Sequence, residues 1–173
     1  MKNIVFTILF SIISFEAFTQ NIGTINFIKI FNQSSSYKLF IDQIEDFKKK
    51  NIETFTKEEK ILISKKNEIE ESKILLSEQE YINKVNEFND LKIIFDNKIQ
   101  TYNNIIDNNI NNNEKIIIDK VTEIIAKLAN EKQIDLVLSE KNYYLSSDKI
   151  DLTNEVIEIL NKTEIKLNFT INE

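Results

Sequence analysis

Ser77 and Glu80, in the stretch LLSEQE, are the one pair whose residue types and spacing specify a definite interaction. A hydroxyl and a carboxylate three residues apart make a capping box. The Ser77 side chain accepts from the Glu80 amide, and the Glu80 carboxylate reaches back to the Ser77 amide. That chemistry starts a helix and transforms no substrate. Elsewhere the inventory excludes more than it offers. The chain has no His and no Cys, which removes Ser–His and Cys–His nucleophiles, imidazole and thiolate metal sites, and disulfides. It has a single Gly, so there is no Gly-rich phosphate loop. Acidic pairs such as Glu58 and Glu59 fall on solvated helix faces. No catalytic residue, metal site or cofactor is expected, and the chain does not read as an enzyme.

Charge narrows the partners. The formal net charge is −6, and all 22 basic residues are Lys. Nucleic acid is not an expected partner, because phosphate binding needs clustered cations. The same acidity argues against direct binding to a membrane or to lipopolysaccharide. Lys without Arg, beside abundant Asn and Ile, suggests AT-biased coding.

The elements follow from periodicity. With no Pro and one Gly, few and long elements are expected. Residues 1–20, MKNIVFTILFSIISFEAFTQ, have the layout of a cleavable signal peptide: Lys2, an apolar run from Ile4 to Phe15, then a more polar segment. The run is too short to span a membrane comfortably. Residues 36–131 read as helix. Phe40, Ile44, Phe47, Phe55, Leu62 and Ile69 form one narrow stripe, and Val85, Phe88, Leu91, Phe95, Ile99, Tyr102, Ile106 and Ile110 form another. Such stripes are coiled-coil seams. If the chain reverses near residues 76–77, Leu62 meets Leu91, Phe47 meets Ile106, Phe55 meets Ile99 and Ile69 meets Val85. The expectation is an antiparallel hairpin arm, its return helix capped by Ser77 and Glu80, with Leu76 and Tyr81 as a hydrophobic staple. The Asn-rich run 102–113 reads either as a flexible joint or as a product of coding bias.

A two-helix arm buries one seam and needs a base. Residues 22–28, residues 134–139 and residues 142–147 have strand character, and Asp151 or Thr153 is expected to cap a last helix bearing Val156, Ile157, Ile159 and Leu160. The fold class is therefore α+β, mostly α: a body of residues 21–35 and 132–173 carrying an arm of residues 36–131. Three short strands make a small core, so copies should pool them into one sheet or barrel. Ile25, Phe27, Leu136, Leu138, Tyr143 and Leu145 are the candidate body contacts.

In the order of these elements the chain resembles the Skp (OmpH-type) periplasmic chaperones. The matching residues are Ile25 to Phe27, Ile134-Asp135-Leu136-Val137, Tyr143 to Ser147, Asp151-Leu152-Thr153 with Val156, and the tip LLSEQE. The resemblance implies a homotrimer built on a β-barrel body, exported to the periplasm of a Gram-negative bacterium. It also implies an ATP-independent holdase that keeps unfolded outer-membrane proteins from aggregating in a cavity between helical arms. Phe47, Phe55, Leu75, Leu76, Tyr81, Phe88 and Phe95 are the candidate client contacts, although seam packing is the plainer role for most of them. The alternative reading is a structural envelope coiled coil anchored by an uncleaved N-terminal helix. The segment KTEIKLNFTINE lies beyond the family's last helix, and its residues assign it nothing.

Overall fold

The computed structural model describes residues 20–171. The expected signal peptide lies outside the described residues but for Gln20. Strand β1 (Ile22–Ile25) leads into a short helix α1 (Phe27–Gln33) and then α2 (Ser35–Ser72). Helix α3 (Glu78–Lys132) returns, followed by β2 (Leu136–Ser139), two single-turn 3-10 segments (Glu140–Asn142 and Asp148–Ile150) and α4 (Thr153–Lys162). The chain is mostly helical with a small sheet. No described helix is long and apolar enough to cross a membrane.

The sheet differs from expectation in three places. The first strand ends at Ile25, because the Asn26 side chain accepts from the Lys29 amide at 2.8 Å and starts a helix. Phe27 is thus the first residue of α1 rather than a strand residue. The third expected strand, residues 142–147, does not form: Asn142 closes a 3-10 turn and Tyr143 to Ser147 run without a ladder. Two residues between that segment and the preceding strand, Glu140 and Lys141, are taken into the turn, so no hairpin register is available. The second strand begins at Leu136: the Ile134 amide is spent in ending α3, and the Asp135 amide donates to the Asn21 carbonyl just ahead of β1.

β1 and β2 pair in parallel, Ile22 opposite Leu136 through Ile25 opposite Ser139. A parallel pair needs a crossover, and here the crossover is the whole helical hairpin. On its other side β1 bridges Asp151, and its Thr24 carbonyl accepts from the Leu152 amide at 2.9 Å. Gly23 sits at the closest approach: a Cβ there would lie 2.9 Å from Leu152 Cδ1.

Capping groups weld these ends. Ser34 closes α1 and opens α2, where its hydroxyl accepts from the Tyr37 amide. Asn161 on α4 clamps that joint, accepting from the Ser35 amide and donating to the Gln33 carbonyl. α3 ends at Gln133, whose φ of 54° is left-handed, and the Ile134 amide then returns to the Ala129 carbonyl at 2.8 Å. α4 was expected to be capped by Asp151 or Thr153. Its N-cap position is Leu152, and Asp151 instead accepts from the Thr153 amide and hydroxyl from one residue further out.

The core sits at the base. α3 is longer than α2, about 83 Å against 57 Å at 1.5 Å per residue, and its extra length carries Ile117, Val121, Ile124 and Leu128 into the body. There they bury with Ile25, Ile30, Leu152, Val156, Ile157 and Leu160. Phe40 and Ile44 join the same cluster from the root of α2. Phe40 is fully buried, so Phe40→Ala should cost about 3–5 kcal/mol. Urea denaturation followed by circular dichroism measures it; a loss under about 1 kcal/mol would mean the arm root is not part of the core.

Candidate functional site

Burial falls away along the hairpin. Beyond Ile44 on α2, and before Ile106 on α3, no residue is fully buried. Two helices can enclose only the stripe between them, and here that stripe is aromatic and half wet. Phe47 stacks on Tyr102 with ring centroids 5.5 Å apart, and Phe55 meets Phe95 and Tyr102 edge-on at 6.2 and 5.2 Å. Lys98 and Glu58 close across the seam at 2.8 Å. Burial raises the Tyr102 phenol above its ordinary pKa, keeping it neutral. Phe47 therefore meets the residue one turn from Ile106, and Phe55 meets the residues flanking Ile99. Phe88 lines a shallow hollow with Ile69 and Leu91.

The seam does not fill. A hollow of about 170 Å³ is lined by Ile61, Leu62, Leu91, Ile94 and Phe95. A larger one, about 580 Å³, opens nearer the body between Phe47, Phe55, Ile94, Tyr102 and Ile171. Ile94, which lines both hollows, and Ile61, which lines the smaller, are more than half exposed, as are Ile52, Ile63 and Ile93 elsewhere on the arm. An arm so placed can offer weak apolar contact along its length. Among the described residues no cluster of acidic side chains could hold a metal ion.

At the tip the capping box is present. The Ser77 amide donates to Glu80 Oε2 at 3.0 Å, its hydroxyl donates to the same oxygen at 2.6 Å, and the Glu80 amide donates to Ser77 Oγ at 3.4 Å. Those bonds to Ser77, hydroxyl first and amide second, hold the Glu80 carboxyl below the ordinary glutamate pKa. Leu76 and Tyr81 are half-buried, and Lys73 Nζ stands 5.8 Å from the Tyr81 ring. Leu75 is 86% exposed, and so is its neighbour Ile74 at 92%, which the sequence reading passed over.

The body candidates divide. Ile25 is buried within the chain. Phe27, Leu138 and Tyr143 are half-buried, and Leu136 is 48% exposed. Leu145, with Tyr144 beside it, stands in solvent. Tyr37, unmentioned by the sequence reading, ties the arm root together. Its hydroxyl donates to Glu114 Oε1 at 2.7 Å, and burial, then that carboxylate, push the phenol well above its ordinary pKa.

Sequence reasoning missed Asn109 and Asn113. Both are buried in a regular helix, where a joint was one expectation, and both bond to the backbone of residues 168 and 170. Their spacing of four on the seam side, and the alternation of Ile165, Leu167, Phe169 and Ile171, were the available signals.

The family described as outer membrane protein (OmpH-like) matches residues 21–160. No curated protein matches the chain. Among solved structures, one described as an outer membrane chaperone (OmpH-like) from Caulobacter crescentus CB15 is similar at a TM-score of 0.67. The match covers 83% of this chain and 85% of that one at 10% sequence identity, and so it speaks for the fold alone.

The tip should respond to pH through Glu80. A lowered folded pKa means stabilisation that is complete above the ordinary glutamate value and lost as pH falls through the lowered one. Protection of the Glu80 and Tyr81 amides, taken against their intrinsic exchange rates, should fall over that acid window and not in Ser77→Ala, which should already be less protected at neutral pH by about 1 kcal/mol of lost capping. Equal exchange in both proteins at neutral pH would show that the cap does not hold the return helix.

Proposed function

We propose that this chain, which belongs to the OmpH-like outer membrane protein family, is a periplasmic chaperone. It holds unfolded outer-membrane proteins, keeps them from aggregating, and does so without ATP. The observation that carries this reading is apolar surface left open on the arm: the unfilled seam, with Ile61 and Ile94 exposed at its hollows, and further exposed isoleucines along the two helices. A soluble protein rarely exposes such surface without a partner for it. Each contact is weak, at about 25 cal/mol per Å² buried, but several arms held together raise the effective concentration of all of them. A client can then be retained without any single essential residue and released without a fuel step.

Assembly through the bodies would bring the arms together. Among the described residues β2 has β1 as its only strand partner, so its outer edge is open to another copy. Leu136 of β2 is half exposed, and Tyr144 and Leu145, a few residues on, stand in solvent. The family resemblance supports a trimer, with a cavity between three arms.

Light scattering of an unfolded β-barrel membrane protein diluted from urea tests the reading. The chain should suppress aggregation at near-stoichiometric trimer, and ATP should change nothing. Ile61→Asn with Ile94→Asn, both at exposed positions, should weaken suppression severalfold while leaving helicity intact. Sedimentation at micromolar concentration should show a trimer that Leu136→Asp dissociates, since an unpaired charge would enter the interface. A folded, monodisperse monomer, or full protection by the double variant, would overturn the corresponding half of the proposal.

A further inference from the structure

The chaperone reading leaves Asn109 and Asn113 unused, yet they are 6% and 4% exposed, in the middle of a helix that otherwise buries aliphatic side chains. Each carboxamide grips a peptide unit on both sides. Asn109 donates to the Thr170 carbonyl at 2.8 Å and accepts from the Thr170 amide at 2.8 Å. Asn113 donates to the Asn168 carbonyl at 3.2 Å and accepts from the Asn168 amide at 3.1 Å. Their second N–H groups return to the carbonyls of Ile105 and Asn109 in the helix. From the facing helix Gln43 accepts from the Phe169 amide at 3.3 Å. The spacing explains the match. Residues four apart on a helix stand about 6 Å apart along its axis, and alternate residues of a strand about 6.7 Å. Two asparagines one turn apart can therefore read two successive outward residues of an extended chain.

The bonds go to backbone, so they ask for an extended conformation and not for a sequence. The seam asks for the pattern. Ile165, Leu167 and Phe169 turn inward, Leu167 is buried, and the Phe169 ring packs 4.7 Å from Phe47. Lys166, Asn168 and Thr170 face solvent. The segment runs toward the tip, since 168 to 170 ascends as 113 to 109 descends. Past it the groove continues: Ile171 borders the 580 Å³ hollow, and Asn108, Asn112 and Thr101 line a polar cleft beside Thr170.

We propose that this groove is a binding site for one extended, amphipathic β-strand segment of an unfolded membrane-barrel client, and that residues 165–171 are a built-in stand-in which the client segment displaces. The proposal rests on the chaperone reading and deepens it. A strand that alternates apolar and polar residues is what such a client consists of, and it presents the same inward row and the same free amides as the resident segment. Occupation by the chain's own segment keeps Phe47 and the two carboxamides covered until a competing strand arrives. The Asn-rich run then has a physical role: it lines a backbone-reading wall with uncharged donors and acceptors.

The full-length chain tests this. Leu167→Asp with Phe169→Asp should release the resident segment and leave the groove intact. A fluorescent peptide of residues 163–171 should then bind at least tenfold more tightly than to the unaltered chain, and an unrelated peptide alternating Leu or Phe with Thr or Asn should compete with it. A peptide of the same composition with the alternation scrambled should not compete, and adding Asn109→Ala should abolish binding. Should the released variant misfold by circular dichroism, the unaltered chain decides: the alternating peptide at saturation should raise hydrogen exchange at the Asn168 and Thr170 amides at least tenfold. Competition by the scrambled peptide, or unchanged exchange at millimolar alternating peptide, overturns the proposal. Aggregation suppression by the unaltered chain, read separately, tells whether the chaperone reading fails with it or stands without it.

Discussion

Everything in this molecule depends on the chain coming back to Ile22–Ile25 after a detour of more than a hundred residues. The parallel pairing with Leu136–Ser139 closes that detour, and four residues of ladder could not offset the loop-closure and ordering entropy alone. The closure holds because the body is tied at both ends of the loop. Asn21 donates to Asp135, Asn26 to Thr153 and Phe27 to Glu140, and Leu152 donates back to Thr24. Beneath those bonds Ile117, Val121, Ile124 and Leu128 bury against α1 and α4. The arm is thus a long insertion whose stability is borrowed from its root.

That dependence sets a gradient along the arm. At the root, Phe40 and Ile44 bury in one cluster that draws on all four helices. Past Phe47 there are two helices only, and a two-helix seam has no third wall. Aromatic rings bridge the gap in part, and hollows remain between them. The gradient is useful to a holding chaperone. Rigid anchorage is needed where arms join a body, and incompletely satisfied apolar surface is needed where a client must be gripped weakly and let go.

Asn109 and Asn113 show how a polar residue can be tolerated in such a seam. A buried carboxamide is costly unless its donors and acceptor are used. Here the helix satisfies one N–H of each, and an extended segment satisfies the other N–H and the oxygen. Among the described residues no buried side-chain polar atom is left without a partner. Removing the segment would leave two peptide-shaped vacancies, and only another extended chain offers the same pair of groups at the same spacing.

The sequence by itself determined the features that are local or periodic. The reversal near Ser77 needs only a hydroxyl and a carboxylate three residues apart, and the two helices need only their apolar stripes. Their mutual register is recoverable because a stripe on each side must meet a stripe. The limits of β1 were not legible: Asn26 caps a helix there through the Lys29 amide, and its own amide leaves the ladder for Thr153, far along the chain. Nor was the failure of residues 142–147 to form a strand, since strand character is realised only where a partner edge stands. The parallel sense of β1 and β2 was decided by where α3 ends, in the body and beside the first strand. The asparagines were the deepest case. Composition made them look like drift, and only the tertiary structure brings the segment 168–170 against them, because a hydrogen-bonding side chain takes its meaning from whatever backbone arrives opposite it.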